Sequence, residues 1–212
     1  MNPNKALLEK GDFTRIAKSM RESGEALVQR LGITKGLKVL DLGCGDGTTA
    51  LPAAKLGADV LGVDIPRNLV EAGNKRAREH ALANCTFQEG DVSDLHQLPD
   101  QAFELVVTVF GAMFAPKPFE VAKEMVRVTR RGGRIVMGNW IPNDPTLVAQ
   151  ILKISSTYTP PPPGRLRQSD DVGDREQRNR AICWRRSSSR KNILHARHLY
   201  IQLPRRTVSA RK

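Results

Sequence analysis

The sequence predicts an α/β protein, a doubly wound, mostly parallel sheet with helices on both faces. Three observations carry that expectation. Short apolar strands alternate with amphipathic helical segments over residues 13–155, the pattern of a parallel sheet whose crossovers cover both faces. A glycine cluster, Gly43-Cys44-Gly45-Asp46-Gly47, follows the first strand, where the backbone can turn sharply and approach a ligand closely. An acid, Asp64, ends the second strand.

Residues 13–31 place Ile16, Met20, Leu27 and Leu31 at helical spacing, with Ala17 and Val28 beside them and Lys18, Arg21, Glu22 and Glu25 on other faces. Residues 37–42 are a strand running into the glycines. Residues 48–56 read as a helix, with Pro52 in its first turn if Thr49 is the N-cap. A buried strand, 58–63, ends at Asp64 and is followed by a helix over 67–83 and a short strand over 85–88. Residues 103–110 form an apolar strand suited to a sheet centre. A helix over 118–129 spaces Phe119, Ala122, Met125 and Val126 for burial. Arg131-Gly132-Gly133 reads as a turn into a fifth strand, 134–140. A last helix, 144–155, is capped by Asp144 with Pro145 at its first position. The expected organisation is a helical lid over residues 1–30, a cofactor-binding domain over 31–155, and a Pro-rich linker with a basic tail over 156–212.

The net charge of +12 suggests nucleic acid until its distribution is examined. Residues 164–212 hold 14 basic and 4 acidic side chains, leaving 20 basic and 18 acidic in the first 163 residues. The body is close to neutral and the basicity belongs to the tail. Leu, Ile, Val and Phe supply only 9 of those 49 tail residues, a composition typical of chains that do not fold alone. One strand, residues 199–203, stands out there without a hairpin partner, so strands that would complete the sheet at the C-terminal end are expected to be missing or altered. Three readings of the tail stay open: a disordered basic extension touching RNA or anionic lipid, a divergent lid, or an out-of-frame translation of an ordinary C-terminal half. No run of 18 apolar residues exists to span a membrane, and residues 1–10 carry no apolar run of signal-peptide type. Cys44, Cys85 and Cys183 lie far apart, with neither disulfide framework nor metal spacing, which points to a reducing, cytoplasmic setting.

The glycine turn with Asp64 is compatible with two cofactor classes. A dinucleotide fingerprint needs a third glycine where this chain has Thr48. The cluster instead reads D-x-G-x-G-x-G, with Asp41 inside the strand end. A carboxylate there suits a cofactor with an ammonium group and no pyrophosphate, such as S-adenosylmethionine. Asp64 can accept hydrogen bonds from both ribose hydroxyls of a nucleoside.

Together with Glu89-Gly90-Asp91-Val92 and the stretch from Arg127 to Gly133, these residues resemble the class I, Rossmann-like S-adenosylmethionine-dependent methyltransferases. The resemblance is greatest to the group that includes quinone-biosynthesis C-methyltransferases, and it covers roughly residues 31–140. It implies that Asp41 with Gly43, Cys44 and Gly45 holds the methionine end, that Asp64 binds the ribose and that Ile65 packs on the adenine. It further implies that Asp91 accepts from the adenine amino group beside the Val92 backbone, and that Phe110 sits near the transferred methyl. The family's usual proline before the double glycine is replaced here by Arg131.

Methyl transfer from a sulfonium has an activated donor and a neutral leaving group, so alignment supplies most of the acceleration, up to about 7–11 kcal/mol. No catalytic triad is expected. An oxygen or nitrogen nucleophile could call for a general base, and His80 and His96 are the only histidines of the body. His80, on the helix after the second strand, reads as a surface residue. His96, after the third strand on the cofactor side, is the candidate. Cys44 reads as a packing residue of the turn. Trp140, ending the fifth strand, reads either as a wall of the acceptor pocket or as plain core, and Thr14 and Arg15 could close over the methionine carboxylate or form a solvated helix face. After the fourth strand, Thr108-Val109-Phe110-Gly111 lacks the Asn/Asp-Pro-Pro-Tyr that positions planar amino groups, and aromatic content of 5% offers no stacking platform for single strands. The expected activity is methyl transfer to a small molecule. The alternatives are a cofactor-binding but catalytically impaired, truncated or frame-shifted relative, an NAD(P)-linked oxidoreductase, or an RNA-binding module acting through the tail.

Overall fold

The computed structural model of the chain describes residues 5–139, Ile154 and Leu199–Gln202. Two compact units divide the chain, one of Met1–Asn139 with Tyr200–Lys212 and the other of Trp140–Leu199; apart from Ile154 and Leu199, the described residues belong to the first. Its elements are α1 (Lys5–Lys10), α2 (Phe13–Val28), β1 (Lys38–Leu42), α3 (Ala50–Lys55), β2 (Asp59–Asp64) and α4 (Arg67–Glu79). There follow β3 (Cys85–Glu89), β4 (Phe103–Val109), a single 3-10 turn at Ala112–Phe114, α5 (Pro118–Val128), β5 (Thr129–Asn139) and β6 (Leu199–Gln202). The strand order is β3-β2-β1-β4-β5-β6, and every pairing from β3 to β5 is parallel. The doubly wound sheet is therefore present. The lone tail strand read from sequence takes the edge beyond β5.

Alternation along the strands divides the core. Val39, Val60, Leu105, Val107 and Val136 face a layer with Leu27, Val28, Leu51 and Val70. Their neighbours Leu40, Val63, Val106 and Ile135 face Leu95, Val121, Met125 and Val128 on the other side. Asp41, two residues after Val39, shares that residue's face by the same period. At the β3 edge, the Asn74 side chain bonds both the N–H (3.0 Å) and the C=O (2.8 Å) of Phe87, occupying groups that another strand could otherwise seize.

Three sequence expectations change in detail. Helix α2 ends at Val28 and buries Ala17, Gly24, Leu27 and Val28, whereas Ile16 is 55% exposed. The buried stripe thus runs through a glycine rather than through the largest side chain. Helix α5 buries Val121, Met125 and Val128, while Phe119, Ala122 and Val126 point outward. The Arg131-Gly132-Gly133 segment is taken into β5 as a bulge: Phe103 pairs with Thr129, but Leu105 pairs with Arg134, so extra residues are looped out of the ladder. Trp140, the expected helix at 144–155 apart from Ile154, and most of the tail lie outside the described residues.

Candidate cofactor site

Strand order reverses between β1 and β4, whose chains leave the sheet in opposite directions. In open parallel sheets the crevice beyond the strands' carboxyl ends at that switch point is where ligands bind. Here it is built from four strand ends. After β1, Gly43 adopts φ +66°, and a Cβ there would fall 2.5 Å from the Cα of Gly111, which follows β4. Only two glycines let these loops touch. The Gly43 N–H donates to the Val63 carbonyl at 2.8 Å, tying the turn to β2. Gly90 donates to the Asp64 carbonyl at 2.9 Å, tying β2 to the end of β3. Phe110, Gly43, Asp64 and Asp91 therefore form one arc across the sheet edge.

The electrostatics of the arc are unusual. Asp41 is 2% exposed, and its Oδ2 is buried without a hydrogen-bond partner. Burial, then the nearby Asp64 carboxylate, push its pKa up to about 7 against one backbone bond from Ala50. Asp64 accepts from the Gly45 N–H at 2.6 Å and the Ile65 N–H at 2.8 Å. Burial raises its pKa too, with those two bonds opposing. Two desolvated carboxylates side by side favour a ligand that brings positive charge and hydrogen-bond donors. Among the described residues only three buried side-chain atoms lack a hydrogen-bond partner: Asp41 Oδ2, Asp46 Oδ1 and Arg21 Nε. Asp41 lies in β1 just before the glycine turn, Asp46 lies within the turn, and Arg21 pairs with Asp46.

The remaining sequence candidates fall as follows. Cys44 is buried, and burial followed by Asp64 and Asp41 lifts its thiol well above the usual value, which suits packing and not nucleophilic chemistry. Val92 is buried in the layer with Leu95, and Ile65 is half-buried. Asp91 Oδ1 accepts from the Ser93 N–H at 2.9 Å and hydroxyl at 2.7 Å, closing a tight turn after β3. Phe110 has φ +62°, a strained value for an aromatic residue, and its N–H donates to the Gly138 carbonyl at 2.8 Å. The His96 side chain is 80% exposed, with its Nδ1 2.8 Å from Asp94. Arg15 is exposed and lines an open depression with Asp12, Ile16 and Ser19. His80 caps the exposed end of α4.

The sequence reading passed over Asp46 and its partners. Arg21 of α2 and Arg76 of α4 meet the buried Asp46 carboxylate at 3.0 Å and 3.2 Å. Separations of 25 and 30 residues leave no local signal. An aspartate amid three glycines was the one available hint.

With this geometry in view, the comparisons are decisive at the family level. A model of the methyltransferase domain matches residues 33–172. The chain belongs to the methyltransferase domain family. Its fold is that of the class I S-adenosylmethionine-dependent methyltransferases. An uncharacterised protein of Mycobacterium tuberculosis is 36% identical over 138 residues, which are 65% of this chain and 50% of that protein. A demethylmenaquinone methyltransferase of a Geobacillus species is 35% identical over 115 residues, 53% of this chain and 49% of the relative. The chain thus spans about half the length of the curated relatives it matches. A S-adenosylmethionine-dependent methyltransferase from Aquifex aeolicus shares the fold with a TM-score of 0.55 at 22% identity, over 61% of this chain and 73% of that one.

Proposed function

We propose that the arc from Phe110 to Asp91 binds S-adenosylmethionine and that the chain passes its methyl group to a small, apolar acceptor. The observation that carries this reading is the buried, unpartnered Oδ2 of Asp41 beside the glycine turn. A desolvated carboxylate oxygen with no donor costs free energy until an ammonium meets it, and the cofactor's amino acid end carries one. In this reading Asp64 accepts from the ribose hydroxyls, Asp91 from the adenine amino group, and Ile65 and Val92 flank the base. When bound, the sulfonium supplies an activated methyl and a neutral thioether leaving group.

The chain's part is then to hold and align. Phe110 stands at the β4 end, where strain in its backbone marks an over-determined position. Met113 and Phe114, just beyond, are 38% and 57% exposed and offer an apolar rim for the acceptor. The demethylmenaquinone methyltransferase relative supports an acceptor of that kind. Trp140, Thr14 and Arg15 remain proposed acceptor-side or carboxylate contacts, and His96 a proposed general base. The buried, unpaired thiols Cys44 and Cys85 fit a reducing compartment. Against a dinucleotide, Thr48 stands in place of the third glycine, and α2 packs on it through Gly24.

The test supplies methyl-labelled S-adenosylmethionine with a panel of apolar phenols and quinols, a peptide pool and total RNA. Label is expected in the organic-extractable small molecules. Label confined to RNA or peptide would overturn the acceptor class.

A further inference from the structure

We propose that Arg21 and Arg76 are positioning residues that hold the glycine turn in its binding shape through the buried carboxylate of Asp46, making helix α2 part of the cofactor site. The inference rests on the cofactor reading above for what the turn binds, though not for the clamp itself.

The turn is built from residues with little conformational preference of their own. Gly43, Gly45 and Gly47 all have positive φ, +66°, +55° and +90°. Such a backbone is open to glycine at no steric cost, but glycine also visits many other conformations. A segment of this kind is ordered only if something outside it selects one geometry. Asp46, set between two of these glycines, is 1% exposed and is gripped from two directions. Arg21 Nη2 donates to its Oδ2 at 3.0 Å. Arg76 Nη1 lies 3.2 Å from Oδ1 and donates to the Asp46 main-chain carbonyl at 2.6 Å. Side chain and backbone of one turn residue are thus fixed by cations on separate helices.

Why α2 comes this close is visible one turn further along it. A Cβ on Gly24 would fall 2.6 Å from both Cγ2 and the carbonyl oxygen of Thr48. Glycine at that position lets the helix backbone rest on the exit of the turn, which brings Arg21, three residues earlier, over Asp46. The pair of cations also exceeds the single carboxylate in charge, and the Arg21 Nε is buried without a partner. Two arginines on one carboxylate make sense as a brace on a glycine-rich segment more than as a balanced ion pair.

A purely structural ion pair and a brace make different predictions. Loss of a structural pair lowers global stability and leaves the turn no looser than its neighbours. Loss of a brace loosens the turn selectively, and a ligand that needs the turn formed then has to order it on binding. Arg21 is the residue to change, because its side chain is 33% exposed against 19% for Arg76 and 2% for Asp46, so its loss leaves the least uncompensated charge in the interior.

The experiment compares the full chain with Arg21→Gln and Arg21→Lys, well below the thermal midpoint of each. Hydrogen exchange is followed in peptides spanning residues 42–49 and, as an internal reference, 103–109. In the same samples, S-adenosylhomocysteine affinity is measured by calorimetry. In Arg21→Gln, exchange at the turn should quicken about ten-fold relative to the β4 peptide and Kd should rise about ten-fold. Arg21→Lys, which keeps a donor and a charge, should recover most of both effects. Unchanged exchange at the turn, or an increase shared equally with β4, would overturn the proposal. Failure of the unaltered chain to bind S-adenosylhomocysteine would instead remove the cofactor reading, while the exchange measurement, which needs no ligand, still decides the clamp.

Discussion

Replacing Asp41 by asparagine should stabilise the cofactor-free protein, and by an amount that grows with pH. In the fold, burial and Asp64 raise the Asp41 pKa from an ordinary 3.8 to about 7. Between those values the folded chain holds a proton that the unfolded chain has released, so stability falls as pH rises through the window. Above it the penalty is complete. A rise of that size corresponds to about 4 kcal/mol. Asparagine has the same shape and no charge, so the penalty disappears with it. At low pH both side chains are neutral, and any fixed cost of the amide appears there as a constant offset. Urea unfolding of both proteins at pH 5, 6, 7 and 8 reads the difference directly. The stability of the variant minus that of the parent should climb steadily and level off above about pH 7. A difference independent of pH would refute the reasoning, since it would mean that Asp41 is ionised in the fold at little cost. The variant should also lose cofactor affinity, because the charge that destabilises the empty site is the one the ammonium answers.

Asp91→Ala should weaken binding of S-adenosylhomocysteine more than binding of its analogue without the adenine amino group, as paired titrations would reveal; equal losses place Asp91 elsewhere. Arg127→Ala should lower stability by about 2–3 kcal/mol, because this one guanidinium bonds the Leu95 and Leu98 carbonyls and the Glu124 and Asp100 carboxylates; denaturant unfolding measures it, and a loss under half a kcal/mol would contradict that role. A chain ending at residue 198 lacks β6 and leaves β5 as the sheet edge, so light scattering should report self-association with cofactor affinity unchanged; a monodisperse truncated chain would mean that β6 covers nothing of consequence.

What the sequence disclosed and what it hid divide along physical lines. The sheet and the glycine turn were legible because strand period, crossover spacing and left-handed glycines are local properties. Asp64 was legible because strand ends in this architecture lie at one edge. The buried faces of α2 and α5 were not. In α5, Phe119, Ala122 and Val126 repeat at helical spacing just as Val121, Met125 and Val128 do, and nothing within the helix says which stripe meets the sheet. In α2 the deciding residue is Gly24, whose lack of a side chain is what lets the helix approach Thr48, and hydrophobic spacing gives glycine no weight. The β5 bulge was read as a turn because both use the same glycines. The Asp46 clamp was invisible for a plainer reason: its arginines come from other helices.

The central claim, that the arc formed by Asp41, the glycine turn, Asp64 and Asp91 is an S-adenosylmethionine site, is tested most directly by calorimetric titration of the full chain with S-adenosylhomocysteine, alongside Asp64→Ala and a parallel titration with NAD. The account predicts one-site, micromolar binding, weakened by roughly 1.5–3 kcal/mol in the variant as hydrogen bonds to a charged acceptor are lost, and no binding of NAD. Binding of NAD without S-adenosylhomocysteine, or an affinity for S-adenosylhomocysteine indifferent to Asp64, would contradict it.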